Sequence, residues 1–432
     1  MKRNIDAQLK LWKKSPGRLP LIIQGARQIG KTYTLKAFGA SEFANMLYVN
    51  LEIDDRARQI FTDDLKPRRI IEELSAYLRM SVHPASTLIV FDEVQACERA
   101  LTSLKYFAED APEYFVVAAG SLLGVAMTSG QFSFPVGKAR ILPFFPLDFG
   151  EFLRATGNAE LASRVELSFA TNEQLPVALH GRALDLYHDY VIVGGMPAAV
   201  NAYVANQYDW QEIRERQMLI LDGYYGDAAK YATAAEAVKI RTAFGSVPAQ
   251  LAKDNRKFQY KLLKKGASAS HFGATLDWLK QSGTVLECRR LEQACRPLVA
   301  NVDLSAFKLY YCDVGLLSAK SNVTRFDLQH SNAIQSTFMG AIAENYVATQ
   351  LCANGHDLYY WESHSIAEID FVIEKAGMIY PVEVKAADNV RSRSLGVFCE
   401  KYQPDYSIRL STRNFGFENG IKSIPLYAAH LI

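Results

Sequence analysis

Gly25-Ala26-Arg27-Gln28-Ile29-Gly30-Lys31-Thr32 fits the spacing G-x-x-x-x-G-K-[ST] at every fixed position. The apolar run Leu19-Pro20-Leu21-Ile22-Ile23 precedes it and Thr34 to Phe38 can continue as a helix, so the glycines fall at a strand-to-helix turn. At such a turn Gly25 and Gly30 let the backbone aim its N–H groups at a polyphosphate. Lys31 brings a mobile positive charge to the outer phosphates, and the Thr32 hydroxyl can hold Mg²⁺. The predicted ATP cradle is therefore Gly25, Ala26, Arg27, Gln28, Ile29, Gly30, Lys31, Thr32 and Tyr33, with Lys31 also serving catalysis.

Working outward, Met46 to Leu51 reads as a second strand and Arg68 to Met80 as an amphipathic helix. Strands alternating with helices imply an α/β fold on a mainly parallel sheet. Thr87-Leu88-Ile89-Val90-Phe91-Asp92-Glu93 then runs four apolar residues into two carboxylates, the Walker B pattern. Asp92, at the strand's end, is placed for the Mg²⁺ shell, and Glu93 to orient and deprotonate the attacking water. A further strand, Tyr114 to Ala119, ends in Gly120-Ser121. Ser121 is a candidate γ-phosphate sensor, although a serine after a glycine is equally an ordinary turn residue.

At 432 residues the chain is too long for one ordinary core, and 49% hydrophobic with 22% charged residues is the balance of a globular protein. The net charge of +2 says nothing as a total, so any argument for nucleic acid rests on local patches. Six cysteines without a C-x-x-C pair disfavour a zinc site and a disulfide framework, and predict a reduced, cytoplasmic protein. The basic N-terminus lacks a signal-like apolar core; Ile5, Leu9 and Trp12 fall at helical spacing instead. No membrane segment is expected, because the longest apolar run, Tyr114 to Met127, is too short to span.

The Gly-Ala-Arg-Gln loop, Gly120-Ser121, Leu142-Pro143-Phe144-Phe145-Pro146-Leu147-Asp148-Phe149-Gly150-Glu151-Phe152 and Gly194-Gly195-Met196-Pro197 resemble a large family of prokaryotic AAA+ ATPases. That resemblance runs through nearly the whole chain. It implies an ATPase of the archaeal-ATPase-like branch followed by a C-terminal domain similar to PD-(D/E)xK nucleases. Where the family often has Gly-Arg, this sequence has Gly137-Lys138 with Arg140 two residues on, so no arginine finger is assigned.

Leu161 to Tyr231 carries apolar residues at helical spacing and reads as a helical lid and connector, interrupted by a turn at Gly194-Gly195. A winged-helix pattern follows: helices Ala235 to Lys253 and Phe258 to Lys265, a recognition helix His271 to Gln281, and wing strands Thr284 to Cys288 and Phe307 to Tyr311. Between Leu251 and Glu292, nine basic residues (Lys253, Arg256, Lys257, Lys261, Lys264, Lys265, Lys280, Arg289, Arg290) face four acidic ones, the excess from which DNA phosphate contacts would come. Winged helices also bind proteins, so that alternative stays open.

The second chemical signal is C-terminal. A helix around Ala341 to Val347 carries Glu344, and strands Glu368 to Ile373 and Tyr380 to Lys385 form a hairpin through Lys375-Ala376-Gly377. Carboxylates converging beside a core need a lysine, a divalent cation or protons. This is the pattern of a PD-(D/E)xK centre: Asp370 and Glu383, supported by Glu344, would bind Mg²⁺, while Lys385 would position the water or stabilise charge on phosphorus. Arg391, Arg393 and Lys401 could support phosphate binding, although no glutamine-tyrosine helix motif follows Lys385.

The expected organisation is an AAA+-type core over 1–155, a helical lid and connector over 156–233, a winged-helix domain over 234–322 and a nuclease-like α/β domain over 323–432. The expected function is ATP-dependent work on nucleic acid. The alternatives are a nucleotide-controlled scaffold with a protein partner and a nucleic-acid-binding ATPase that never cuts, with homo-oligomerisation open in each.

Overall fold

Leu88-Ile89-Val90-Phe91 is buried along its whole length, as a strand covered by helices on both faces must be. It is the centre of β3 (Thr87–Asp92) in a five-stranded sheet with β1 (Leu21–Gln24), β2 (Asn45–Asn50), β4 (Phe115–Gly120) and β5 (Arg140–Pro143). The order is β2-β3-β4-β1-β5 and every pair is parallel. The computed structural model describes residues 1–128, 135–206, 209–329, 333–363, 367–386 and 393–432.

Register fixes what meets at the carboxyl edge of this sheet. Gln24 lies opposite Gly120 and Asn50 opposite Asp92, so Gly25, Asp92, Glu93 and Ser121 all follow strand ends on one edge. That edge is where open parallel sheets bind ligands. Beneath it, Ile22, Leu47, Ile89, Phe91, Leu104, Phe107 and Val116 belong to one apolar cluster.

Contacts divide the chain into two units, Met1–Phe145 with Gln281–Gly283, and Pro146–Lys280 with Thr284–Ile432. The stretch predicted as a helical lid and connector is helical, with helices Ala159–Thr171, Val177–Val193, Pro197–Ala205 and Trp210–Tyr231. It belongs to the second unit together with all of the later strands. A Cβ on Gly195 would stand 2.0 Å from the Leu147 carbonyl oxygen, and Leu147 N–H donates to Gly195 O at 2.8 Å. The Pro-Leu-Asp-Phe and Gly-Gly-Met-Pro segments are thus packed directly on each other.

The second unit is built on eight strands, β6 (Val285–Leu291), β7 (Val302–Tyr311), β8 (Tyr359–Ser363), β9 (Ala367–Lys375), β10 (Met378–Val384), β11 (Ser407–Ser411), β12 (Gly416–Glu418) and β13 (Ile421–Pro425). Their order is β12-β13-β11-β10-β9-β8-β6-β7. The two strands expected as wings are present as the antiparallel pair β6–β7, but β6 also pairs in parallel with β8. One mixed sheet therefore runs through both segments expected as separate domains. Phe258 to Lys265, expected as a helix, holds only a 3₁₀ turn at Tyr260–Leu262, and Phe258 N–H bonds to Phe307 O at 2.9 Å beside β7. Helix Ala269–Gln281 lies where the recognition helix was expected.

The hairpin β9–β10 turns through Lys375-Ala376-Gly377 as read from the sequence, and the structure adds that Ala376 and Gly377 take positive φ. Helix Arg393–Tyr402 packs Leu395 and Phe398 against Trp361, Ile369 and Val372. No helix among the described residues is long and apolar enough to cross a membrane.

Candidate functional site

In the first unit, only glycine fits at position 25, because a Cβ there would stand 2.1 Å from the Phe144 carbonyl oxygen. Gly30, at φ 96°, caps helix Lys31–Glu42, whose first-turn N–H groups have no intrahelical acceptor and suit an anion. Gln28 also takes positive φ, while Ala26 and Ile29 are buried and anchor the loop. Lys31 Nζ donates to the carbonyl oxygens of Gly25 at 2.9 Å and Ala26 at 2.8 Å, so its ammonium lies against the loop. Arg27 and Tyr33 are exposed on its flank.

Thr32 and Asp92, far apart in sequence, meet directly: the hydroxyl donates to Asp92 Oδ2 at 2.6 Å. Tyr48 OH donates to the same oxygen at 2.8 Å, and Glu93 N–H to Oδ1 at 3.0 Å. Burial first, and then the Asp92 carboxylate, raises the Tyr48 phenol well above its ordinary pKa and keeps it a proton donor. A hydroxyl and a carboxylate at one point are hard oxygen ligands, so Thr32 and Asp92 fit Mg²⁺. Glu93 takes the left-handed conformation, and its Oε2 accepts from Gln95 Nε2 at 2.6 Å. Gly120 makes that possible, since a Cβ there would stand 2.3 Å from Gln95 Oε1. Ser121 is buried at the end of β4.

Three residues here escaped the sequence reading. Tyr48 was counted only as part of a strand, and Gln95 follows the acidic pair at a spacing that could have marked it. Arg3, noted only as N-terminal charge, donates to Ile29 O at 3.1 Å and Phe145 O at 2.7 Å, bracing the loop from below.

In the second unit the structure brings Glu344, Asp370, Glu383 and Lys385 to one cavity of about 430 Å³, together with Glu368, Asp254 and Arg256. Helix Ala333–Ala353 supplies Glu344, β9 supplies Glu368 and Asp370, and the end of β10 supplies Glu383 and Lys385. Each predicted carboxylate already has a protein donor. Glu344, 1% exposed, is ion-paired to Arg256, lies 3.6 Å from Lys308 Nζ and accepts from Tyr310 OH at 3.1 Å. Asp370 Oδ2 accepts from Val384 N–H at 2.8 Å, and Glu383 Oε1 lies 2.6 Å from Lys385 Nζ. The fully buried Lys308 also holds Glu368 at 2.5 Å.

Among the described residues, no group of three or more His, Cys, Asp or Glu is arranged to hold a metal ion. As arranged, with two basic side chains on Glu344, this set does not fit a divalent cation. Arg256 and Lys308 were read as part of a phosphate-contacting patch and of a wing strand; their partner Glu344 is on a distant helix. Of the nine basic residues counted there, Lys257, Lys280 and Arg290 also pair with carboxylates, whereas Lys253, Lys261, Lys264 and Lys265 are exposed. Arg391 lies outside the described residues.

Residues 17–153 match the family model described as AAA domain, so the chain carries an AAA-type ATPase domain. Residues 184–327 and 339–429 match two families described as Domain of unknown function (DUF8612 and DUF4143). No curated protein matches. Among solved structures, the ORC2 protein of Aeropyrum pernix in its ADPNP-ADP complexes is 14% identical with a TM-score of 0.35, covering 76% of this chain and 96% of that one. The ORC1 protein of Aeropyrum pernix in complex with DNA is 12% identical with a TM-score of 0.29, covering 74% and 93%. PCH-2 of C. elegans is 11% identical with a TM-score of 0.30, covering 49% and 66%.

Proposed function

We propose that the chain binds and hydrolyses Mg²⁺-ATP and uses the cycle to act on nucleic acid. The observation that carries the first part is the 2.6 Å contact between Thr32 and Asp92, which joins the phosphate loop to the acidic strand end. In this reading Gly25 to Tyr33 wrap the phosphates, Lys31 turns its ammonium from the loop carbonyls to the outer phosphates, and Ser121 contacts the terminal one. Mg²⁺ on Thr32 and Asp92 would neutralise phosphate charge. Glu93 takes the proton of the attacking water once Gln95 releases its carboxylate.

The nucleic-acid part rests on the exposed Lys253, Lys261, Lys264 and Lys265 and on the second-unit cavity, where Asp370, Glu383 and Lys385 would handle a phosphodiester. Steady-state ATP hydrolysis with and without single-stranded and duplex DNA, over a salt series, tests it. Stimulation that falls steeply with salt is expected; ATP turnover indifferent to every nucleic acid would remove that part and leave the ATPase. A second reading, a nucleotide-controlled scaffold that never cuts, is favoured by one observation: Glu344 is already neutralised by Arg256 and Lys308.

A further inference from the structure

Helix Ala269–Gln281 carries a glycine, Gly273, at which an added Cβ would meet no atom within 4 Å. A glycine inside a helix is less favourable than an alanine, and no close approach demands one here. What its missing side chain leaves is space. Gly273 lines a cavity of about 280 Å³ between this helix and the strands β6 and β7, with Tyr260 and Phe307 as its aromatic wall. Phe307 stacks on Phe258 at 5.5 Å between ring centroids, and Tyr260 stands edge-to-face with Phe258 at 5.4 Å, so a third ring holds both in place. Leu304, also lining the cavity, is 88% exposed, a large apolar side chain left in water.

The charges around this cavity are already matched. Lys280 Nζ lies 2.9 Å from Asp277 Oδ1 and 3.1 Å from Glu287 Oε1, Asp303 is ion-paired to Arg290, and Arg289 lies over the Tyr359 ring, 4.8 Å from its centroid. A phosphate would find no uncommitted cation inside. A flat heterocycle suits the place better, since its faces match the aromatic wall and its edge groups can exchange hydrogen bonds with Asp277, Lys280 and Glu287. Exposed positive charge lies on the turn that follows Tyr260, at Lys261, Lys264 and Lys265. That turn is closed by Leu263 N–H to Tyr260 O and Ala267 N–H to Lys264 O, both at 3.0 Å.

We propose that the cavity takes one unpaired base of a single-stranded nucleic acid, stacked on Tyr260 and Phe307, while Lys261, Lys264 and Lys265 hold phosphates of the same strand outside it. Aromatic side chains accept any base that is free to leave its stack, and a base paired in a duplex is not. The inference rests on the nucleic-acid reading above and narrows it to single strands.

The test is fluorescence anisotropy of the full chain without nucleotide. The probes are a short labelled single strand of mixed sequence, its duplex, and the same strand with abasic sites through its centre, over a salt series. Wild type should bind the intact strand at least about ten-fold tighter than the abasic one, at the same salt slope. Gly273→Leu plugs the cavity, favours the helix and changes no charge; it should bind both strands alike, at the wild-type affinity for the abasic strand. Tyr260→Leu is the second variant: it keeps an apolar contact with Phe258 and should shrink the same ratio while leaving abasic binding unchanged. Lys264→Gln/Lys265→Gln should weaken both strands together and lower the salt slope by about 1.4, keeping the ratio. If Gly273→Leu and Tyr260→Leu separate the intact from the abasic strand as wild type does, the base cavity is overturned and lysine-mediated binding stands. Wild type that binds the intact strand no better than the abasic strand or the duplex overturns it too. No binding of any probe by wild type overturns the nucleic-acid reading as well.

Discussion

The two carboxylate clusters of this chain, one at the ends of parallel strands and the other between a helix and the strands β9 and β10, satisfy buried carboxylates in opposite ways. At the end of β3, Asp92 is 1% exposed and receives its hydrogen bonds from neutral donors, the Thr32 and Tyr48 hydroxyls and the Glu93 amide. In the second unit, Glu344 is equally buried but is met by Arg256 and Lys308. A buried carboxylate surrounded by neutral donors still has an unbalanced charge and attracts a cation; one with two basic neighbours does not. The first site is therefore ready for Mg²⁺, and the second already carries its own cations.

The largest expected effect sharpens the chemical side of this contrast. Glu93→Gln keeps the shape of the first site and the hydrogen-bonding reach toward Gln95, but removes the base. ATP turnover should fall by about 10²- to 10⁴-fold while ATP binding persists, read by single-turnover hydrolysis alongside equilibrium binding. Turnover within a few-fold of wild type would mean that Glu93 is not the base.

The next effect concerns stability. Lys308→Met takes one of two cations from the buried Glu344, and the partner of the part-exposed Glu368, and should cost about 3–5 kcal/mol, the scale for breaking a buried pair. Thr32→Val removes one hydrogen bond from a neutral donor to the Asp92 carboxylate and should cost about 1.5–3 kcal/mol. Urea unfolding of the two variants compares the sites directly. A Lys308→Met loss no larger than that of Thr32→Val would break the distinction between them.

What the sequence made legible divides along the same line. The phosphate loop is eight consecutive residues, and the acidic pair follows its own strand, so local spacing was enough to place Gly25 to Thr32, Asp92 and Glu93 on one edge. Strands β6 and β7 were legible as strands, because their apolar runs are local; their neighbour β8 was not, since pairing of β6 with Tyr359–Trp361 crosses a long helix-rich insertion. Arg256 and Lys308 were invisible as site residues for the same reason. A basic residue shows its charge in the sequence but not its partner, and Arg256 read as surface until Glu344 was found beside it.

Asp313 offers the third case, a fully buried carboxylate with neutral donors and no metal chemistry, and it shows what the second-unit carboxylates would do without their cations. It accepts from Gly195 N–H at 2.6 Å and Leu316 N–H at 2.9 Å, and burial still pushes its pKa up to about 6. His430, also fully buried, goes the other way, down to about 4. The signs oppose. Raised in the fold, Asp313 holds its proton there when the unfolded chain has lost it, so its contribution falls as pH rises from about 4 to 6. Depressed in the fold, His430 stays neutral while the unfolded chain takes up a proton, so its contribution falls as pH drops from about 6.5 to 4. Each is worth about 3 kcal/mol across its window, so wild type should show a nearly flat urea midpoint between pH 4.5 and 6. Asp313→Asn should uncover stability rising with pH, and His430→Gln stability falling with pH. Stability that rises with pH in His430→Gln as well as in Asp313→Asn would mean that neutral backbone donors suffice to keep a buried carboxylate charged, and the need for Arg256 and Lys308 at Glu344 would lose its physical basis.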